Sequence, residues 1–163
     1  MAISYARYQT SCTALYAERV LNTDKRFPGS VAALRDSLIA CITLPSSRVF
    51  VPNDTILSDE GNTFLKELSK IFSGKDDFRI VISVFTANSG SSAHIARFSQ
   101  QRADAAAVEL QRILGDKSVV IPFGMGDTEP IAKNNTYQGR EENRRIEVWL
   151  IPSVSLIEKL TGK

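Results

Sequence analysis

No apolar run in this chain of 163 residues approaches the ~18 residues that a transmembrane helix needs. Histidine is nearly missing. His94 stands alone, near an expected helix start. No cysteine or second histidine accompanies it to build a metal site, so a surface structural role is its simplest reading. Cysteine is scarce too, with only Cys12 and Cys41. They read as two free thiols on helical faces, or as one disulfide that would require an oxidising compartment. Thr10-Ser11-Cys12 admits a third reading, a lipidated cysteine. The stretch Ile3-Ser4-Tyr5-Ala6-Arg7-Tyr8-Gln9 has no continuous apolar segment and makes no signal peptide. Export would therefore call on a leader outside this sequence. Charge of one sign is also lacking. The net charge is +2, with no stripe of Lys and Arg, which argues against a nucleic-acid partner. Ser89, Ser91 and Ser92 lie near His94, yet no acid completes a triad. Gly124 and Gly126 lack the third glycine and the following helix of a phosphate loop. What remains is an ordinary globular composition, 43% hydrophobic and 23% charged. A chain of this size buries roughly two thirds of its unfolded surface in one core and requires no metal or disulfide staple.

Hydrophobic periodicity organises the chain. Ala14, Ala17 and Leu21 form one stripe and predict a helix over 11–22. Phe27-Pro28-Gly29 breaks it. Ser30 is positioned to cap a second helix through about Ile42, with Val31, Leu34, Leu38 and Cys41 in register, and Pro45-Ser46-Ser47 ends it. Arg48-Val49-Phe50-Val51 reads as a short strand. Ser58 then caps an amphipathic helix whose first turn holds Asp59 and Glu60, where the helix dipole favours them. Phe64, Leu65, Leu68, Ile71 and Phe72 make its buried stripe. Phe78 to Phe85 is the most strand-like run, rich in β-branched residues. A long helix is expected from about Ala93 to Leu114, stopped by Gly115. Val119 to Phe123 and Ile146 to Ile151 are the remaining strands, and Trp149 reads as half-buried core or an interface residue. Asp127 to Glu142 reads as a polar loop, long enough to suggest a functional surface. The pattern predicts an α/β sandwich, β-α-β-α-β-β, with helices packed on one mixed sheet. The expected organisation is a helical extension over 1–47, one domain over 48–151, and a tail or short helix over 152–163.

Several ordered segments carry a resemblance. Phe85-Thr86-Ala87-Asn88-Ser89-Gly90 is followed at helical distance by Phe98-Ser99-Gln100-Gln101-Arg102-Ala103. Leu57-Ser58-Asp59-Glu60-Gly61 opens the earlier helix. Gly124-Met125-Gly126-Asp127-Thr128-Glu129-Pro130 leads into Ile131-Ala132, Asn134, Thr136, Gly139-Arg140 and Asn143-Arg144-Arg145-Ile146-Glu147-Val148. Together they resemble the OmpA-like C-terminal domain, the peptidoglycan-associated module of Gram-negative envelopes, over about residues 48–151. A single segment is weak evidence; the ordered set is strong.

The resemblance implies a ligand and a set of residues. Diaminopimelate carries an ammonium and carboxylates, so a protein that grips it needs an anion and a cation. In the family an aspartate after the threonine supplies the anion, and the helix arginine supplies a planar fork for a carboxylate. Carried onto this chain, Thr86 matches the threonine and Arg102 the helix arginine. Arg144 and Arg145 match the tail motif, and Asn88 offers one hydrogen-bond acceptor. Ala87 stands in place of the aspartate. Val84, Phe85 and Ile95 replace a glycine, a histidine and an asparagine. Truncating one partner of a buried charge pair costs about 2–5 kcal/mol, on the order of thirty- to several-thousandfold in affinity. Asp104 is two residues from Arg102 and falls on another helix face.

Thr86, Asn88, Arg102, Arg144 and Arg145 thus form a ligand site of the peptidoglycan type with half its charges. Arg102 is alternatively a structural pair for a neighbouring loop, and Arg145 a strut that fixes the long loop. The resemblance implies a non-enzymatic envelope protein without cofactor or metal, periplasmic and associated with the outer membrane. It would dock other envelope proteins in a complex such as a secretion system, the type IVB class among them. The alternative is a working diaminopimelate anchor of Pal type.

Overall fold

The computed structural model describes residues 31–33, 40–73 and 78–152. Its frame is a five-stranded mixed sheet. The strands are β1 (Val31–Ala33), β2 (Ala40–Pro45), β3 (Phe78–Phe85), β4 (Val119–Gly126) and β5 (Arg145–Pro152), in the spatial order β1-β2-β5-β3-β4. Among the described residues four helices accompany them: α1 (Ser46–Val49), α2 (Asp59–Phe72), α3 (Ser92–Leu114) and α4 (Tyr137–Asn143). β3 runs parallel to β4 through the α3 crossover, and antiparallel to β5, which is in turn antiparallel to β2. The expected mixed sheet with packed helices is what forms.

Alternation decides which face is the core. On β5, Ile146, Val148 and Leu150 are buried, while Glu147 and Trp149 between them are half-buried on the other face. The Trp149 indole donates to Glu147 Oε2 at 3.1 Å, so its polar tip is satisfied. Ile80, Ile82 and Val84 of β3 continue the core, and Phe64, Leu65, Leu68 and Phe72 of α2 close over it. Each such side chain contributes roughly 1.5–3 kcal/mol when taken fully out of water. Ser58 caps α2 as expected, accepting from Gly61 N at 3.0 Å. Gly61 is required there, because a Cβ would lie 2.0 Å from Val49 O.

Three expectations are corrected. The helix placed over 30–42 is replaced by β1 and the start of β2. Val31, Leu34, Leu38 and Cys41 have helical spacing, but Ile42 and Leu44 alternate with the exposed Thr43. Six rungs of pairing with β5, from Ala40↔Leu150 to Pro45↔Arg145, settle the competition in favour of strand. The strand expected over 48–51 is instead the end of α1 and a single bridge between Phe50 and Leu57. Val49 and Phe50 are both buried, which an alternating strand with one solvent face does not allow. The polar loop over 127–142 contains α4, capped by Thr136, which accepts from Gly139 N at 2.9 Å. Its exposed Tyr137 and buried Gly139 and Asn143 give no apolar stripe to read. Cys41 is a buried free thiol. The helix expected over 11–22, Cys12 and the tail after 152 lie outside the described residues.

Candidate functional site: a cationic cleft at the strand ends

The cleft is built where β3 ends, and α3 sets its position. Ser91 caps α3, accepting from His94 N at 3.2 Å. Ile95, Ser99, Arg102, Ala103 and Ala106 follow on one buried face. Ser99 Oγ accepts from Gly126 N at 3.0 Å, and Gln100 Oε1 accepts from Gly124 N at 2.9 Å. Gly124 makes this approach feasible: a Cβ there would stand 2.3 Å from Gln100 N. Thr86 N donates to Gly126 O at 2.8 Å, tying the end of β3 to the end of β4. The crevice outside these strand ends is a usual place for a ligand in sheets with parallel pairs.

A cavity of about 390 Å³ occupies that crevice. Thr86, Ala87, Arg102 and Arg144 line it, with Phe85, Ile95 and Phe98 as apolar wall and Ser46 and Glu141 at other sides. Of the residues expected in the site, Thr86, Arg102 and Arg144 come together. Asn88 is exposed and is not part of the lining, and neither is Arg145.

Arg102 is buried, with 7% of its surface exposed. Its guanidinium carbon lies 4.8 Å from the centre of the Phe50 ring and 4.4 Å from that of Phe98. Nε donates to Asp54 O at 2.8 Å and Nη2 to Val51 O at 3.4 Å. The arginine therefore secures the 51–54 loop through backbone carbonyls, where a carboxylate pair was the structural alternative. Burial pulls its pKa down to about 10, with Asp54 opposing the shift and Arg144 adding to it.

Arg144 reaches across the junction of α4 and β5. Nη1 pairs with Glu141 Oε1, and Nη2 donates to Ser89 Oγ at 3.3 Å. Arg145 points elsewhere. Its guanidinium carbon lies 3.7 Å from the centre of the Phe85 ring, and Arg145 is not among the residues that line the cavity. Nε pairs with Glu147 at 2.8 Å, and Nη2 donates to Glu129 O at 3.1 Å. It fixes the long loop to the sheet, the strut role open to it from sequence.

Three features escaped sequence reasoning. Glu141 puts a carboxylate in the cavity lining, from a helix that had been read as loop. Ser46 Oγ and Thr86 Oγ1 are buried and make no hydrogen bond among the described residues. Asn143, fully buried, organises the whole approach from 131 to 134. Its Oδ1 accepts from Ile131 N at 2.8 Å and Ala132 N at 2.9 Å, while Nδ2 donates to Ala132 O and Asn134 Oδ1, each at 2.9 Å. The available signal was its place in Asn143-Arg144-Arg145. Asp104 falls off the site, as its spacing implied, accepting from Gln100 Nε2 at 2.9 Å on the exposed side. Among the described residues, no group of three or more His, Cys, Asp or Glu is placed to hold a metal ion. No helix among them is long and apolar enough to cross a membrane.

The chain is thus a mixed sheet with a βαβ crossover and a cleft that holds two arginines at the strand ends. The sequence signature of the OmpA family matches residues 49–144, and the chain belongs to that family. It is 29% identical over 123 residues to the probable lipoprotein YiaD of Escherichia coli, covering 76% of this chain and 55% of that protein. It is 38% identical over 74 residues to the peptidoglycan-binding protein ArfA of Mycobacterium tuberculosis, covering 44% of this chain and 22% of that one. The chain thus spans about half or less of the length of these relatives. Among solved structures, a putative MotB-like protein of Desulfovibrio vulgaris shares the fold with a TM-score of 0.72 and 21% identity, covering 85% of this chain and 92% of that one. The cell wall anchor of the T6SS from Pseudomonas aeruginosa shares it at 0.65 and 21% identity, covering 90% and 99%.

Proposed function

We propose that this is a non-enzymatic cell-envelope domain that docks other proteins of an envelope-spanning complex, with its grip on diaminopimelate weakened or lost. The observation that carries this reading is the charge inventory of the cavity. Its lining holds two arginines, Arg102 and Arg144, and one carboxylate, Glu141, already paired with Arg144. The position where the family resemblance expects the anion is Ala87, buried and apolar. An ammonium entering here meets a net positive lining. Relatives named for the envelope, the outer-membrane lipoprotein YfiB of Pseudomonas aeruginosa among them, support a periplasmic setting at the outer membrane. A secretion system is one such complex, the type IVB class included.

A second reading has its own support. Glu141 is a carboxylate in the cavity, and it could exchange Arg144 for a ligand ammonium while Arg102 takes the carboxylate. This would be a rearranged Pal-type anchor. ArfA is described as peptidoglycan-binding, and the T6SS neighbour as a cell wall anchor. Sedimentation with purified sacculi separates the two readings. The docking reading expects no retention of the wild type and a gain for Ala87→Asp. Retention of the wild type that is abolished by Arg102→Ala would overturn it in favour of the anchor.

A further inference from the structure

The cavity has a composition suited to a particular occupant. Counting the guanidinium and carboxylate groups of its lining, two arginines and one glutamate leave one net positive charge. Arg102 uses Nε and Nη2 on the carbonyls of Asp54 and Val51, so Nη1 is its nitrogen turned to neither. Ser46 Oγ and Thr86 Oγ1 are buried hydroxyls without a partner among the described residues, and both residues line the same cavity. Leaving such groups unpaired costs about 1–3 kcal/mol each, and since neither oxygen has accessible surface, a ligand oxygen meets them only after a side-chain rotation. The same lining holds the apolar side chains of Phe85, Ala87, Ile95 and Phe98.

We propose that the cavity takes the C-terminal carboxylate of a partner protein whose last residue is apolar. The proposal rests on the docking reading and names what is docked. A chain terminus carries a carboxylate and a side chain on one Cα, which matches a lining that holds both cations and apolar side chains. Its nitrogen is an uncharged amide, so it asks for no anion at Ala87. Capture of a terminal carboxylate is an established mode of peptide recognition. At about 390 Å³ the cavity sits near the small end of ligand pockets, roughly 300–1,000 Å³, a size for a terminal residue. Diaminopimelate differs in its free ammonium, which this lining disfavours.

The test is fluorescence polarisation with short labelled peptides ending in leucine, phenylalanine or valine, each as free acid and as amide. At least one free acid is expected to bind, with its amide weaker by about tenfold or more, the loss of one charge-assisted hydrogen bond. Arg144→Gln and Thr86→Val, checked for folding by circular dichroism, should each weaken the acid and narrow the gap to the amide. Equal binding of acid and amide overturns the proposal, as does no binding of any peptide to folded wild type. Tighter binding of meso-diaminopimelate, or of a stem peptide ending in D-alanine, overturns it too. The sacculus experiment keeps the two ideas apart. Without retention on sacculi, failure of the peptides removes the terminal-carboxylate ligand and leaves docking standing. Retention that free diaminopimelate competes away removes both.

Discussion

Replacing Arg102 by methionine separates a residue kept for the cleft from one kept for stability. The losses can be itemised. The Nε hydrogen bond to Asp54 O at 2.8 Å is a charged one, and such bonds are worth about 1.5–3 kcal/mol. The second contact, 3.4 Å to Val51 O, is long and adds little. The Val51 carbonyl also accepts from Asp54 N at 3.1 Å, so it keeps a partner once the arginine donor is gone. The two ring contacts, with Phe50 and Phe98, are worth about 0.5–2 kcal/mol each. Against this, methionine fills the same channel between the rings and makes sulfur–aromatic contacts of about 0.3–1.5 kcal/mol. It also removes the penalty of holding a buried cation, several kcal/mol per ion. That penalty is visible in the pKa, drawn down to about 10 chiefly by burial. The expected net change is within about 1 kcal/mol of zero, a shift of a few degrees in Tm at this chain length. Urea unfolding of wild type and Arg102→Met measures it. A loss above about 3 kcal/mol would refute the reasoning and make Arg102 a strut of the 51–54 loop. Alkaline pH gives an independent sign. Above about pH 10 folded Arg102 gives up its proton more readily than the unfolded chain does. Wild-type stability relative to Arg102→Met should therefore rise with pH above that point and be flat below it.

Other substitutions test the frame around the cleft. Asn143→Ala removes four hydrogen bonds from a fully buried site, for an expected loss of about 2–4 kcal/mol, and amide exchange at Ile131 and Ala132 should accelerate more than at β3. Gly124→Ala forces a methyl to within 2.3 Å of the α3 backbone at Gln100, an overpacking cost of roughly 3 kcal/mol or more, read as a lower urea midpoint. Cys41, its thiol pushed up to about 12 by burial, should resist iodoacetamide at pH 8 until denaturant is added. The same shift means that folded Cys41 holds its proton between pH 9 and about 12 while the unfolded chain loses it, so this residue's share of stability falls as pH rises through that window.

Elements carried by long, one-sided patterns were legible in the chain. β3 runs from Phe78 to Phe85 as its β-branched composition implied, and α2 and α3 begin at the serine caps Ser58 and Ser91 or within a residue or two of the expected start. Short elements were not, because their identity is decided by partners distant in sequence. β2 is six residues long, and its apolar spacing fits a helix as well as a strand until β5, about a hundred positions later, pairs with it. α1 and α4 are four and seven residues long. Neither nucleates alone. α1 is held by Ser46 N donating to Arg144 O at 2.9 Å and by the close approach of Gly61. α4 is held by its Thr136 cap and by the buried Asn143.

The same dependence explains what was readable in the cleft. Residues on long elements or in ordered motifs, Thr86, Ala87 and Arg102, could be brought to one place by resemblance, and they do line one cavity. Glu141 and Ser46 enter it from the two short helices, so their contribution was hidden with those helices. Their arrival changes the chemistry of the site. Ala87 alone leaves two arginines unopposed; Glu141 neutralises Arg144 and leaves Arg102 as the one cation of the lining whose charge no lining carboxylate meets. A cation that no carboxylate of the lining pairs, beside aromatic rings, selects a monoanion with an apolar body over a zwitterion. Glu141→Gln should therefore strengthen binding of the terminal-carboxylate peptides severalfold by freeing Arg144. In a rearranged anchor it would instead weaken binding of diaminopimelate, because there the carboxylate holds the ammonium. Opposite signs from one conservative substitution, measured by titration of the folded variant with both ligands, decide which chemistry the cleft performs.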